Sequence, residues 1–594
     1  FRSLRPLQRQ AMQAVLDRRD SLVVLPTGGG KSLCFQAPAL LRPDETTVVV
    51  SPLIALMNDQ VENLRAADVP ARCLTSAQTP QERAAVEQEL RRGGVRLLFV
   101  SPERLTLGSF QNLLRQLRVR TFAIDEAHCI SHWGHDFRPE YRQLNRLREL
   151  FPDASLHGYT ATATERVRRD IVEQLALREP EILVGDFDRP NLVYRVIPRT
   201  NVLKQVREVL QRHPNEAGII YCIRRKDVDD LAAELRAAGV NAMPYHAGLS
   251  PEERRATQEA FRSERCDVVV ATVAFGMGID RSDVRFVLHA GMPKSIEHYQ
   301  QEAGRAGRDG LEAECILLYA PADYFTWRSV ISKSAEENGA GPEFVPQALR
   351  HLDGMYAYGR GAVCRHRVLV EHFGQSFPHA NCQACDLCLG EVETEPDSLV
   401  IAQKILSCVA RVQQRYGVEH VTGVLHGDQT ERIRSLRHDG LTTYGLLREH
   451  SKPQIRDWIY QLIAQELLVQ TDDEYPQLRL NAASWEVMRG GRDVKLMRTV
   501  QRKQSRESRA AEVSWSGVDR DLFEELRKLR RQLAEERKRP PYTIFTDATL
   551  REMCRRLPRT RAALRGISGV GDAKLRDFGD AFLERINRFA AARE

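Results

Sequence analysis

The stretch Phe122–Tyr141, FAIDEAHCISHWGHDFRPEY, decides the fold. Phe122-Ala123-Ile124 is an apolar run of the kind that forms a buried strand. Asp125 and Glu126 stand at its end, the place where open α/β sheets hold their ligands. An Asp there can hold Mg²⁺ on a nucleotide, and a neighbouring Glu can orient or deprotonate a water. The segment continues through His132, Trp133, His135, Phe137, Arg138 and Tyr141. Aromatics interleaved with a basic residue offer stacking surfaces to bases. The plainer alternative makes Trp133 and Phe137 core residues, which a polar, Gly-containing loop disfavours. One segment therefore joins a phosphate-hydrolysis site to a nucleic-acid contact.

Toward the N-terminus, Ser21–Leu25, Thr47–Val50 and Leu97–Val100 read as further buried strands, separated by charged helical stretches. Alternating β and α predicts a parallel sheet covered by helices on both faces. The first strand runs into Pro26-Thr27-Gly28-Gly29-Gly30-Lys31-Ser32. Three glycines let backbone N–H groups wrap a phosphate, Lys31 supplies a point charge, and Ser32 a hydroxyl for Mg²⁺. The general P-loop pattern has a Gly where Leu25 stands, but the strand–GGGKS–helix context outweighs that departure. Upstream, in LRPLQ, the Gln8 amide can pair with a donor and an acceptor on an adenine edge. Thr160–Thr164, TATAT, is placed to link the nucleotide site to a second domain. Ser51-Pro52-Leu53 and Ser101-Pro102-Glu103 follow strands and suit phosphate-backbone contact.

After Asp188-Arg189-Pro190-Asn191 the pattern restarts, with strands expected at Gly218–Cys222, Asp267–Ala271, Arg285–Leu288 and Cys315–Tyr319 and a helix over Val228–Ala238. Ala271–Asp280 reads as a Gly-hinged loop able to touch both nucleotide and nucleic acid. In Gln300–Gly310, QQEAGRAGRDG, Arg305 and Arg308 are three apart, so a helical turn would project both to one side. Arginines aimed across a cleft stabilise charge on a transferring γ-phosphoryl group.

The chain has 594 residues and a net charge of +7 from 87 Lys+Arg and 80 Asp+Glu. That length predicts about three to five domains, and that balance suits an anionic partner. No apolar run of about 18 residues is present, so no membrane span is expected. The twelve cysteines include single ones scattered through α/β regions, a reduced, intracellular pattern. Cys364, Cys382, Cys385 and Cys388 stand apart. Four thiolates at these spacings suit tetrahedral Zn²⁺, with an Fe–S cluster as the alternative.

Together these motifs resemble the RecQ family of superfamily-2 DNA helicases, essentially end to end. DEAH followed by CISHWGHDFRPEY is similar to that family's aromatic-rich loop, and LRPLQ to its adenine motif, which carries over Arg5 and Gln8. Thr27, Gly28, Gly29, Gly30, Lys31 and Ser32 fall on its nucleotide loop. Lys31, Asp125, Glu126, Arg305 and Arg308 fall on its catalytic positions, and His132, Trp133, Phe137 and Arg138 on its DNA-coupling segment. His132 replaces a commoner Gln, and Arg224 stands where Ser is often found.

The resemblance implies two RecA-like parallel-sheet domains (1–190 and 191–340), a zinc-binding helical subdomain (341–395) and a winged helix (396–497). A basic linker (498–514) and a small all-α HRDC-like domain (515–594) complete it. It implies structural zinc on the four cysteines, and ATP with Mg²⁺ between the lobes. It further implies 3′→5′ unwinding of single-strand-flanked and branched DNA in recombination and repair. The setting is cytoplasmic and nucleoid-associated, with a single-stranded-DNA-binding protein as a further partner.

Within the winged helix, helices are expected at Leu399–Tyr416, Glu419–Leu425, Thr430–Leu436 and Lys452–Leu467. Leu468–Gln470 and Leu478–Leu480 would form a hairpin whose short acidic turn argues against a strand-splitting wedge. Leu522, Leu526, Leu529 and Leu533 define an amphipathic helix. Residues 519–594 carry 19 basic against 13 acidic residues, suiting an accessory nucleic-acid module; the alternative is a helical cap for protein contacts. Two rival readings remain at this point: an RNA helicase, and a DNA-binding scaffold with a silent ATPase.

Overall fold

The computed structural model describes residues 4–592 apart from 77, 118, 132, 135, 277–280, 338–343, 472–475, 499–514 and 538. His132, the end of the Gly-hinged loop (277–280), the hairpin turn and nearly all of the basic linker thus lie outside the described residues.

The first lobe is built on seven strands: β1 (Ser21–Val24), β2 (Thr46–Val50), β3 (Ala71–Leu74), β4 (Leu97–Val100), β5 (Val119–Ile124), β6 (Ser155–Thr160) and β7 (Glu181–Val184). Their order is β3-β4-β2-β5-β6-β1-β7, and every pairing is parallel. Val48, Val49, Val50, Leu97, Leu98, Phe99 and Val100 are wholly buried, as strands covered on both faces must be. The order has a direct consequence. β5, β6 and β1 are neighbours, so their C-terminal ends bring Asp125-Glu126, Thr160–Thr164 and Pro26–Ser32 to one edge.

The second lobe repeats the plan with β8 (Leu192–Pro198), β9 (Ala217–Tyr221), β10 (Ala242–Tyr245), β11 (Val268–Ala271), β12 (Val284–His289) and β13 (Ala313–Tyr319). The order β10-β11-β9-β12-β13-β8 is again all parallel. The expected strands are present; β3, β6, β7, β8 and β10 are additional to them.

The cysteine-bearing module fastens the two lobes. Its helix Arg365–His372 and the residues after it place Val370, Phe373 and Phe377 in the core of the first lobe and Leu369 in that of the second. Phe373 also stacks on Phe187 at 4.3 Å. The Cys knuckle itself extends the second sheet. Tyr194 N donates to Ala384 O and Asp386 N to Tyr194 O, each at 3.0 Å, which adds a short parallel bridge to the outer edge of β8.

Helices Ser398–Arg411, Val418–His426, Glu431–Ser435 and Lys452–Ala464 pack around Trp458, Leu462 and Leu468 in a third core. The antiparallel pair Val469–Gln470 and Leu478–Arg479 completes this winged-helix outline. The hairpin is short, with Thr471 N donating to Gln477 O at 2.9 Å. The last core is all-helical. In Arg520–Glu536, Leu522, Leu526 and Leu529 are buried and Leu533 packs beside them.

This C-terminal module docks on the second lobe through charge. Arg530 is fully buried, donating to Glu264 Oε1 at 2.9 Å on the lobe and to Asp547 Oδ1 at 2.8 Å within its own module. Arg531 pairs with Glu264 at 2.9 Å, and Arg527 donates to Asn215 O at 2.7 Å.

Candidate active site and nucleic-acid interface

The P-loop turns from β1 into the helix Lys31–Leu40 with Gly28 at φ +81° and Gly30 at φ +79°. Both angles lie in the left-handed region that favours glycine. Space is short as well, because a Cβ on Gly30 would stand 2.4 Å from Gln8 Nε2. Gln8 is buried and donates to Gly29 O (3.3 Å) and Gly30 O (3.1 Å), while its Oε1 accepts from Arg5 N at 2.8 Å. The Arg5 guanidinium donates to Gly28 O. In this arrangement the Gln8 amide is spent on the P-loop backbone, so its first task here is to hold the loop. Ser32 sits in the first helical turn, and Lys31 Nζ donates to Leu25 O at 3.2 Å. Burial lowers the Lys31 pKa, against the pull of the Glu126 and Asp125 carboxylates.

Across the edge, Asp125 is 6 % exposed and accepts from Glu126 N at 3.0 Å. Burial, then the adjacent Glu126 charge, pushes its pKa up; burial likewise raises Glu126. Glu126 takes φ +47°, a left-handed position that turns its side chain out of the strand line. Its buried Oε2 accepts no hydrogen bond among the described residues, with the His128 ring Nδ1 3.4 Å away. An acceptor-only atom so placed, within the field of Lys31 on the phosphate-binding loop, suits a water or hydrated cation, and this residue set fits Mg²⁺–nucleotide.

His128 is kept neutral at pH 7, burial lowering its pKa to about 4. His128 Nδ1 is hydrogen-bonded to Thr160 Oγ1 at 2.9 Å, and Thr160 Oγ1 lies 3.2 Å from Thr162 O. Thr162 Oγ1 in turn accepts from Gln301 Nε2 of the second lobe at 3.2 Å. A polar chain thus runs from beside the carboxylates through the TATAT stretch to the opposite lobe.

Arg305 and Arg308 reach the cleft differently from expectation. The helix Ile296–Ala303 ends at Gly304, and both arginines lie in the turns that follow, with Gly307 at φ +56°. A loop, not a helical turn, sets their directions. A Cβ on Gly28 would be 3.3 Å from Arg308 Cγ, and one on Gly304 3.2 Å from Thr27 Cβ, so this segment lies against the P-loop. Arg305 is 7 % exposed. The sequence reading missed Arg189. It donates to Thr27 O at 3.3 Å and to Gly307 O at 2.9 Å, bridging the P-loop and the arginine segment. Its position at the restart of the α/β pattern was the only signal, and nothing there distinguishes it from a linker residue.

Trp133 and Phe137 are half-buried, Trp133 on the margin of the first lobe's core. Arg138 is tied at three points: its N to Cys129 O (2.9 Å), Nη1 to Pro52 O (3.3 Å) and Nη2 to Asp136 (3.3 Å). Tyr141 donates to Asp125 O at 3.0 Å, closing the loop back onto the carboxylate strand. The Sγ atoms of Cys364, Cys382, Cys385 and Cys388 lie within 4.8 Å of one another. Ala384 N donates to Cys382 Sγ at 3.4 Å and Cys388 N to Cys385 Sγ at 3.5 Å. Convergent sulfurs with amide donors behind them fit a closed tetrahedral zinc site. Among the described residues no helix is long and apolar enough to cross a membrane.

Fold and site define the class: a two-lobed P-loop motor of the helicase type. Residues 5–171 match the DEAD/DEAH box helicase family and 201–310 the helicase conserved C-terminal domain. Residues 321–389 match the RecQ zinc-binding domain, 393–506 the RQC domain and 519–586 the HRDC domain. The chain is 40% identical to "ATP-dependent DNA helicase RecQ" of Pasteurella multocida (strain Pm70), over 99% of this chain and 92% of that one. It is 38% identical to the Bacillus subtilis (strain 168) protein of the same name, over 99% and 97% respectively. The chain belongs to the RecQ family of ATP-dependent DNA helicases. ATP, Mg²⁺ and Zn²⁺ are its cofactors and DNA its substrate, which sets aside the RNA-helicase and silent-ATPase readings.

Proposed function

We propose that Lys31, Asp125, Glu126, Arg305 and Arg308 carry ATP hydrolysis and that the Trp133 segment makes it depend on bound DNA. The P-loop amides of Thr27–Ser32 and the Lys31 charge hold the phosphates, with Arg5 and Gln8 holding that loop beside the adenine. Glu126 orients the attacking water and takes its proton. Mg²⁺, when bound by Asp125 and Ser32, neutralises charge on the transferring group. Arg305 and Arg308 approach from the second lobe, so phosphate charge ties the lobes together and its loss loosens them. Trp133, Phe137, Arg138 and His132 contact the strand being moved. Repeated closing and opening ratchets one DNA strand through, in the 3′→5′ sense, on recombination and repair substrates. A single-stranded-DNA-binding protein is the expected companion, and the nucleoid the expected place.

The observation that carries this reading is the convergence at one edge of the P-loop, the orphaned Glu126 oxygen and the arginine segment of the other lobe. Phosphate release with and without saturating single-stranded DNA tests it. Glu126→Gln should keep ATP binding and stop hydrolysis. Trp133→Ala should bind ATP and DNA but lose DNA stimulation and unwinding, since base stacking is worth about 1–3 kcal/mol while phosphate contacts supply most affinity. Full stimulation in Trp133→Ala would show that the loop is not the coupler.

A further inference from the structure

Trp133 already has a partner on its ring. The Arg166 guanidinium carbon lies 3.0 Å from the ring centroid. Arg166 belongs to the helix Glu165–Gln174, which begins directly after the TATAT stretch and is capped by Thr164, whose side chain accepts from Val167 N. One turn further on, Asp170 accepts from Ser131 Oγ at 2.6 Å, and Ser131 Oγ accepts from Trp133 N at 3.1 Å. Positions 166 and 170 share one helix face. The same face therefore grips Trp133 twice, by the ring and by the backbone. Arg166 is exposed, and no carboxylate among the described residues forms an ion pair with it; neighbouring Glu165 pairs instead with Arg169 at 3.8 Å.

A guanidinium plane on an indole is the same kind of contact that a nucleobase makes: a flat group against a π face. We propose that Arg166 is a stand-in for a base, holding Trp133 in its DNA-free position with Asp170 and Ser131 as a second hold. A base then engages Trp133 by displacing Arg166. The displaced cation sits at the start of a helix that leads from Thr162, the residue bonded to Gln301 of the second lobe. Release of the loop is thus registered where the lobes meet. Arg166 and Asp170 are positioning residues: they act through Trp133 and Ser131, by setting how often the loop reaches its active position without DNA. The inference rests on the reading that the Trp133 segment reports DNA to the carboxylates.

The test uses the full-length enzyme and an oligo-dT strand. An exposed contact of this type is worth a factor of about two to five. Arg166→Gln should raise DNA-free ATP hydrolysis by about that factor and lower the half-activating oligo-dT concentration to match. Asp170→Asn should shift both in the same direction, and Arg166→Lys, which keeps the charge but not the plane, should fall between. In a Trp133→Ala background, where no DNA stimulation is left to titrate, Arg166→Gln should leave the DNA-free rate unchanged, a signature that a merely structural arginine would not give. A higher half-activating concentration in Arg166→Gln would show that Arg166 grips DNA itself and overturn the proposal, as would an unchanged DNA-free rate. If Trp133→Ala keeps full stimulation, the coupling reading fails. If Trp133→Ala loses it while Arg166→Gln changes nothing, the stand-in alone fails.

Discussion

Replacing Arg530 with Ala should undock the C-terminal module from the second lobe. The guanidinium has no exposed surface and serves four groups: Phe545 O at 2.8 Å, Asp547 at 2.8 Å, Glu264 at 2.9 Å and Asp283 at 4.0 Å. Two of the carboxylates keep other cations. Asp283 retains Arg281 at 2.9 Å, and Glu264 retains the half-exposed Arg531 at 2.9 Å. The uncompensated loss is therefore close to one buried charge, for which removal of a partner costs about 3–5 kcal/mol. Part of that falls inside the module, through Asp547 and Phe545. Glu264→Gln separates the parts, since it removes only the lobe-side charge and should cost about 1–3 kcal/mol, as for one buried hydrogen-bonded partner. Hydrogen exchange of the helix Arg520–Glu536, with thermal melts of both single variants and the double, gives the coupling energy. A coupling of about 2 kcal/mol or more that persists in high salt is expected, because buried pairs are poorly screened. Additive single effects, or a coupling abolished by salt, would refute the docked, desolvated interface.

Lys31→Ala should abolish ATP turnover in the phosphate-release assay, the P-loop having lost its nearest cation. Burial opposes charge on His213, but hydrogen bonds to Glu216 and Glu314 raise its pKa to about 9. Its stabilising share is thus complete below its unfolded pKa of about 6.5 and disappears as pH rises through about 9. The second lobe should melt progressively lower over that window, and His213→Gln should flatten the dependence. Cys385→Ala should give metal-depleted, poorly soluble protein, since structural zinc contributes roughly 10–16 kcal/mol of binding energy to folding; fewer than one zinc per chain in well-folded wild type would overturn the site.

Much of the architecture was legible because parallel strands buried on both faces leave unbroken apolar runs, as at Thr47–Val50 and Leu97–Val100. Two of the strands that escaped notice carry polar residues with partners distant in sequence. In Ser155–Thr160, His157 is buried between Ser21 Oγ and Ser155 Oγ, each at 2.9 Å. In Leu192–Pro198, Arg195 is matched by Glu391 at 2.7 Å and Glu314 at 3.0 Å. Neither reads as core until the fold supplies the partner. The same limit hid Arg189, Arg166 and Arg530, whose meaning lies wholly in what they face. The directions of Arg305 and Arg308 escaped for another reason: a glycine-ended helix and a left-handed Gly307 break the periodicity from which side-chain direction is inferred.

The Cys knuckle bonded to β8 also guards against self-association. A sheet's outermost strand presents unpaired N–H and C=O groups to any other chain that can match them. In the second lobe that strand is Leu192–Pro198, and its free side is covered at Tyr194 by Ala384 and Asp386, with the Asp386 carboxylate taking Val196 N at 2.9 Å. Cys382 and Cys388 flank that cover, and a zinc ion held by them with Cys364 and Cys385 would tie its two ends together. Loss of the metal would uncover a strand edge in an otherwise intact sheet, so demetallated protein should assemble edge to edge into β-rich oligomers before either lobe unfolds.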